Sequence, residues 1–197
     1  MSRYRKLFIL LMFPLLLFFV SCKKDKQPDA PTSPRVGTSW TYTYKTFNAS
    51  GTLSTTSSIR YRAISEETLA GEKWLKLVDS VNNPVFLLRV RANGLNQYAN
   101  NAAQLLCKDP ASVNDAYTSY NEGSDEDFTV THVNLQLDLP YFNAIVTRYT
   151  GQRAGQTDDI LWYNKNLWLA KMEKYVLNTF TGVRHIDKRW ELTEIRY

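Results

Sequence analysis

The sequence predicts an all-β domain, arranged as an antiparallel meander of about ten strands with at most one or two short helices. Apolar and polar residues alternate in stretches such as 39–45 and 132–139, which is the pattern of a strand with one buried face. Turn-forming residues separate these stretches at short intervals, for example at 48–51 and 92–94. No stretch has the apolar spacing of an amphipathic helix longer than about ten residues.

The predicted strands follow one another along residues 39–197. Phe128 and Val130 have the opposite apolar phase to residues 132–139, so we expect a bulge or bend near Thr131. Residues 101–107 are expected to form a single helical turn. The strands are predicted at 39–45, 59–64, 74–78, 85–91, 95–98, 117–120, 132–139, 144–149, 160–163, 167–173 with a continuation at 175–180, and 189–196.

Residues 1–21 are predicted to be a secretory signal peptide. Arg3, Arg5 and Lys6 precede residues 7–20, a run without charge that contains one proline. A basic start followed by a short apolar run is typical of such signals. The alternative is a transmembrane helix, but a bilayer core needs about 20 apolar residues, and this run is shorter.

The end of the apolar run, where Ser21 precedes Cys22, resembles the lipobox of bacterial lipoproteins. The resemblance implies that Cys22 begins the mature chain and carries a thioether-linked diacylglycerol that holds the protein to a lipid bilayer. Two or three acyl chains bind durably, because each buried methylene contributes about 0.8 kcal/mol. Lys23, rather than an aspartate, follows the cysteine, and in lipoproteins of this kind that implies the outer membrane of the cell envelope. The other interpretation is a free cysteine at a cleaved terminus.

Residues 22–38 are predicted to be a lipidated, flexible tether, and residues 39–197 a single all-β domain. Three prolines fall within residues 28–34, and the segment has no apolar period. The net charge of +5 comes from the signal and the tether, because residues 36–197 contain 17 basic and 17 acidic residues. No basic stripe is left to bind phosphates, which excludes nucleic acid as a partner.

The residue types that carry catalysis are sparse in the mature chain. Cys107 is its one thiol after lipidation, and Leu105 and Leu106 before it favour a buried small hydrophobe over a reactive group. His132 belongs to the polar phase of its strand and is expected to be solvated. No nucleophile elbow, zinc-binding helix or phosphate-binding glycine loop is present. We therefore predict that the protein is not an enzyme and has no catalytic residue and no cofactor.

Residues 122–127 are predicted to be an acidic loop. Their carboxylate oxygens are suited to calcium, but the residue spacing of a calcium-binding loop is missing. A solvated loop is the favoured interpretation, and no metal ligand is predicted.

The domain contains Gly37-x-x-Trp40-x-Tyr42 near its start, Leu139-Pro140-x-Phe142-x-Ala144 in its middle and Trp162-Tyr163-x-Lys165-x-x-Trp168-Leu169-x-Lys171 near its end. These motifs resemble a group of uncharacterised bacterial lipoproteins. The resemblance implies a curved, half-barrel or lipocalin-like sheet, similar to the periplasmic lipoprotein carriers, and it implies no activity. Trp168 stands where this group commonly has glycine, so a different turn is expected there.

Five aromatic residues form the candidate ligand cleft: Trp40, Tyr42, Tyr44, Trp162 and Trp168. In a flat sandwich they would be core, which is the favoured interpretation for most of them. In a half-barrel they could instead line an apolar cleft. Two functions follow. The first is a non-catalytic, membrane-anchored lipoprotein that binds an apolar small molecule, such as a lipid or acyl chain. The second is an interaction or glycan-binding module that contacts an envelope protein or glycan.

Overall fold

Twelve antiparallel strands joined by short turns build the chain from Ser39 to Arg196. The computed structural model describes residues 33–121, 123–154 and 156–197, within one unit that spans Pro31–Tyr197. In these ranges there is no helix, and thus none long and apolar enough to cross a bilayer. The strands are β1 (Ser39–Phe47), β2 (Leu53–Leu69), β3 (Glu72–Val78), β4 (Pro84–Arg91), β5 (Gly94–Ala99), β6 (Ala102–Lys108), β7 (Ala116–Asn121), β8 (Ser124–Asp138), β9 (Asn143–Arg153), β10 (Gln156–Asn164), β11 (Trp168–Leu177) and β12 (Arg184–Arg196).

The strands form one curved sheet that nearly closes into a barrel. Each strand pairs with its neighbours in sequence except that β6 and β7 do not pair, while β1 pairs with β12. The two edges, β6 and β7, are joined along a seam by side chains. Tyr117 Oη of β7 donates a hydrogen bond to the carbonyl of Leu106 in β6 (2.8 Å), and Gln97 Nε2 of the next strand, β5, donates to the carbonyl of Tyr120 in β7 (2.9 Å). The predicted all-β, curved antiparallel meander is confirmed, with twelve strands rather than about ten.

Different segments of the chain lie at the two ends of the barrel. Residues 33–38 lead into β1 at one end, which we call the tether end, and the β10–β11 turn lies at the same end. The β1–β2 and β11–β12 turns lie at the opposite end, which we call the far end.

Residues 101–107 form strand β6 instead of the predicted helical turn. Asn100 and Asn101 adopt left-handed φ angles of 50° and 58°, and Ala99 pairs with Ala102 across them. Two left-handed residues are the requirement of a tight hairpin turn, and asparagine tolerates that conformation. The chain therefore turns back immediately into an extended strand.

The predicted acidic loop is also corrected, because Ser124 already begins β8. Glu126 is 1% exposed and faces the barrel interior, whereas Asp125 and Asp127 are exposed on the outer side. The acidic side chains thus alternate between two faces of a strand and do not converge on one solvated loop. Glu122 lies outside the described residues.

The bulge expected near Thr131 is confirmed. The pairing of β8 with β9 shifts register between Val130 and His132 and again between His132 and Leu135. Asn134 has a left-handed φ of 54° within this stretch. The bulge lets Val130 face the interior while His132 is exposed to solvent, as predicted.

Aromatic side chains fill the tether end of the barrel. Trp40 stacks on Trp168 with ring centroids 5.4 Å apart, and its Nε1 donates to the carbonyl of Leu167 (2.9 Å). Tyr42 Oη donates to the carbonyl of Leu169 (2.8 Å). These contacts connect β1 to β11 through the interior, although β12 lies between them in the sheet.

A second part of the core lies along the seam. Tyr117 stacks on Phe128 with ring centroids 5.6 Å apart, and Tyr149 packs edge-on against Tyr117 at 6.3 Å. Cys107 is fully buried beside this cluster and forms no disulfide, as predicted. Burial raises the pKa of its thiol well above the ordinary value, so the thiol stays protonated and unreactive.

Trp168 adopts a conformation that usually requires glycine. It ends the β10–β11 turn, in which Asn164 Oδ1 accepts hydrogen bonds from the backbone N–H groups of Asn166 and Leu167. Its φ of 65° lies in the left-handed region, which is unusual for a bulky residue. The position therefore has a backbone geometry that favours glycine, and an indole occupies it here.

We expect the stability order of two Trp168 variants to reveal this strain. Both Trp168→Gly and Trp168→Ala remove the buried indole, at a cost of roughly 3–5 kcal/mol for the alanine variant. Because a left-handed φ penalises a residue with a Cβ by about 1–2 kcal/mol, the glycine variant should be the more stable of the two. Urea unfolding measures both.

Trp40 provides the matched control, since it is a stacked tryptophan inside a strand with no left-handed φ. There glycine should be less stable than alanine by about 0.5–1 kcal/mol. The same order of stability at both positions would contradict the assignment of strain to Trp168.

Candidate functional site

Two voids lie inside the barrel, and an open groove lies next to them at the surface of the tether end, where exposed residues that include Ser33, Arg35 and Lys73 line it. The tether-end groove has a volume of about 170 Å³, the plug void about 20 Å³ and the inner cavity about 140 Å³. Trp168 and Leu88 line both the tether-end groove and the plug void. The plug void and the inner cavity share four lining side chains, Tyr61, Phe86, Leu169 and Met172.

The walls of the inner cavity come from facing residues on neighbouring strands. Leu161 of β10 pairs with Met172 of β11, which pairs with Trp190 of β12. Toward the far end of the barrel, Asp159 pairs with Lys174 in the same two strands. The cavity is thus apolar in its middle and polar at one end. Its lining residues are Tyr61, Phe86, Gln97, Leu106, Asp159, Leu161, Leu169, Met172, Glu173, Lys174 and Trp190.

Burial changes the acid–base properties of two of these residues. Desolvation raises the pKa of Tyr61, and the indole N–H of Trp190 beside it lowers that pKa in part. Desolvation also lowers the pKa of Lys174, and the nearby ammonium of Lys188 lowers it further. Both net shifts favour the uncharged form of the group, and this suits contact with an apolar molecule.

Four of the five candidate cleft residues face the interior, but they do not line one cleft. Trp40, Tyr42 and Trp168 surround the plug void, where they fill the tether end of the barrel. Tyr44 packs against Trp190, with ring centroids 5.0 Å apart, and Trp190 in turn lines the inner cavity.

Trp162 lies apart from the other four, on the outer face of the sheet. Its cross-strand partners are Arg148 and Lys171, and both cations lie over its ring, at 5.5 Å and 4.7 Å from the centroid. The neighbouring residue Leu161 faces inward, and successive residues of a strand point to opposite faces. Trp162 is therefore a cation-covered residue of the barrel exterior and does not contact the inner cavity.

A cluster of three carboxyl groups lies at the far end of the inner cavity. Glu126 comes from β8, and Asp158 and Asp159 come from β10, where a register shift against β9 separates Thr157 from Ile160. Oxygen atoms of the three carboxyl groups lie within 4.8 Å of one another, and all three residues are buried. Asp159 also lines the inner cavity, so the cluster and the cavity form one site.

Two arginines compensate the charge of this cluster. Arg153 contacts Glu126 Oε2 at 3.4 Å and Asp158 Oδ2 at 3.2 Å. Arg184 Nη2 donates to Asp158 Oδ1 at 2.6 Å. The spacing of the carboxylates would suit a divalent cation, but the guanidinium groups already supply the positive charge. We therefore describe the cluster as a neutralised ion network.

Asp159 holds a proton at neutral pH. Burial, the negative charges of Glu126 and Asp158, and a hydrogen bond to Glu126 raise its pKa to about 8. Two carboxyl groups this close cannot both ionise without strong repulsion, so the pair shares one proton. Chemically, the polar end of the cavity can donate or accept a hydrogen bond.

Gly151 of β9 makes room for this network. An added Cβ at this position would collide with Glu126 Oε1 and with the ring of Phe128. The Glu126 carboxyl group thus occupies the space that a side chain at position 151 would need.

The carboxyl cluster is the part of the site that the sequence analysis missed. The strand predicted at 160–163 begins earlier in the structure, because Asp158 and Asp159 already belong to β10. A usable signal existed for Glu126, because it has the same alternating phase as Phe128 and Val130, the residues assigned to one face. Cys22 and most of the tether lie outside the described residues.

The structure is thus a nearly closed β-barrel with a small internal cavity. Comparisons with known proteins find solved structures that are similar to it. No protein-family model and no curated protein matches the chain. A protein from Bacteroides fragilis, described as exported and of YmcC-like fold, is similar in structure, with a TM-score of 0.46 and 12% identity over 84% of this chain and 98% of that one. A protein from Parabacteroides distasonis, described as a lipoprotein, has a TM-score of 0.38 and 16% identity over the same shares, 84% and 98%. At these levels neither likeness carries an argument about function.

We expect Asp159 to make the protein less stable as the pH rises. The folded state keeps the proton up to about pH 8, whereas the ordinary pKa of an aspartate is 3.8. Between these values the folded state binds more protons than the unfolded state, so the free energy of unfolding falls by at most about 1.4 kcal/mol per pH unit. Asp159→Asn should flatten this slope in urea unfolding between pH 4 and 9.

Asp138→Asn, on the exposed face of β8, is the matched control and should leave the slope unchanged. Parallel pH profiles for the wild type and Asp159→Asn would show that Asp159 titrates normally.

Proposed function

We propose that this protein is a lipoprotein held to the cell envelope through Cys22, and that its barrel binds a small apolar molecule in the inner cavity. The inner cavity itself is the observation that carries the proposal. Its apolar middle, formed by residues such as Leu161, Met172 and Trp190, and its polar end at Asp159 match the usual composition of small-molecule sites.

The volume of the inner cavity indicates the size of the ligand. It measures about 140 Å³. An engineered apolar cavity of about 150 Å³ in another protein binds benzene, so a body of about six carbon atoms fits here. A long acyl chain does not fit within this cavity alone.

We propose binding rather than catalysis. None of the described residues that line the cavity is a serine, a cysteine or a histidine, and the carboxylate of Glu173 is paired with Lys171 and Arg189. The carboxyl group of Asp159 is already engaged with Glu126. The cavity therefore offers shape and hydrogen bonding, which suffice to hold a molecule.

The envelope location is supported by the signal and lipobox residues, with Lys23 after Cys22 favouring the outer membrane. The described part of the tether, residues 33–38, joins the barrel at the tether end, where the tryptophan stack closes the interior. The polar end of the inner cavity lies toward the far end of the same strands.

Replacement of Cys22 should release the protein from membranes. Cys22→Ala removes the thiol that the diacylglycerol would modify, and without acyl chains no strong membrane affinity is left. We expect the variant in the soluble fraction and the parent in the membrane fraction, with fatty acid detected only on the parent by mass spectrometry. An equal distribution of the two proteins would refute the lipid attachment. Cys107→Ala, which changes the other cysteine, serves as the control.

Native mass spectrometry of the unlipidated Cys22→Ala protein tests the ligand. We expect a co-purified molecule of low mass, and we expect it to be lost when Met172→Trp fills the cavity. Met172→Leu keeps the side-chain volume nearly constant and should retain the ligand. Retention of the same molecule by the filled variant would place its binding elsewhere, and its absence from repeated parent preparations would count against ligand binding.

A second candidate function, an interaction module for an envelope protein or glycan, is favoured by one observation. The β11–β12 turn at the far end exposes Phe180 almost completely, at 98%, and its neighbour Val183 at 62%. Apolar side chains grouped on a projecting turn are typical of contact surfaces. The same preparations distinguish the two functions, because an empty cavity together with a co-purified envelope component would favour this one.

A further inference from the structure

We infer that Trp168 limits the length of the molecule that the barrel accepts. The inference rests on the proposed binding of an apolar ligand and adds the residue that determines its size. Trp168 lines the tether-end groove on one side and the plug void on the other. Its stack with Trp40 closes the interior of the barrel at this point.

The indole of Trp168 occupies this place in spite of two unfavourable features. Its backbone has a left-handed φ of 65°, where glycine would be free of strain. Its Nε1–H is buried and has no hydrogen-bond partner among the described residues, although the residue is only 4% exposed. A buried donor without a partner is destabilising. Strain of this kind in a native structure points to a role for the residue that imposes it.

The voids on the two sides of the ring are similar in size. The tether-end groove measures about 170 Å³ and the inner cavity about 140 Å³, and the plug void lies between them. The inner cavity holds a body of about six carbon atoms, whereas the groove is open and is lined by charged residues that include Arg35, Glu66 and Lys73. With the indole removed, the groove, the plug void and the space of the ring become continuous with one another. A longer straight chain could then extend from the inner cavity through the space of the ring, with a polar end group at the charged residues of the groove.

The side chains between the plug void and the inner cavity allow such an extension. Met172 is one of the four residues that line both voids, and its unbranched side chain adapts its shape readily. Leu169 and Phe86 are also shared, and they keep the passage apolar along its length. The ligand class that fits is therefore a molecule with a straight apolar chain and a polar end group, and Trp168 determines the length of the chain.

A series of n-alkanols from six to fourteen carbons, measured by titration calorimetry on the Cys22→Ala protein, tests this inference. For the wild-type barrel we expect the affinity to rise about fourfold per added methylene until the chain reaches about six carbons and then to stop rising. In Trp168→Gly the rise should continue past this limit, because the space of the ring then takes up further methylene groups. Trp168→Phe keeps a smaller ring and should give an intermediate limit, which also covers the case in which the glycine variant does not fold.

Trp162→Gly removes an indole from the outer face and should leave the limit at its wild-type length. If the wild-type barrel binds no alkanol of any length, the proposed ligand binding fails. If the wild type binds short alkanols but the Trp168 variants show the same limit, the role of Trp168 is overturned while ligand binding stands.

Discussion

A sheet that curves on itself without a covering helix must fill its interior with its own side chains, and the rest of this structure depends on how that is done. Trp40 on β1 stacks against Trp168 on β11, and the hydrogen bonds from Trp40 and Tyr42 reach carbonyls 127 residues away in sequence. Together with the pairing of β1 and β12, these contacts join the two ends of the domain. The closed tether end and the partly empty middle of the barrel follow from this placement of large rings.

The far end of the interior contains buried charged groups, whereas the tether end is filled by aromatic rings. Carboxyl groups from β8 and β10 meet guanidinium groups from β9 and β12, and one proton is retained between Glu126 and Asp159. Burying a charge is tolerated only when counter-charges and hydrogen bonds surround it. A similar arrangement joins β1, β11 and β12, in which Lys45, Lys171 and Arg189 alternate with Glu173 and Glu191.

The sequence was sufficient for the fold class and for several local features, since these depend on short-range patterns. The alternation of apolar and polar residues predicts the strands, and the change of apolar phase after Val130 predicts the bulge in β8. The candidate site was harder, because it depends on which strands become neighbours. Nothing local to Trp162 indicates that it faces outward, since residues 160–163 are all apolar and show no alternation. Likewise, the carboxyl cluster joins residues 126 and 158–159, which only the strand pairing brings together.

The seam between β6 and β7 is the part of the barrel wall that the fewest hydrogen bonds hold together. Elsewhere neighbouring strands share ladders of backbone hydrogen bonds, but here isolated side-chain hydrogen bonds bridge the edges. Two residues of this junction, Gln97 and Leu106, are also part of the inner cavity wall. Local opening of the wall is therefore expected first along this seam, where no ladder of backbone hydrogen bonds has to break.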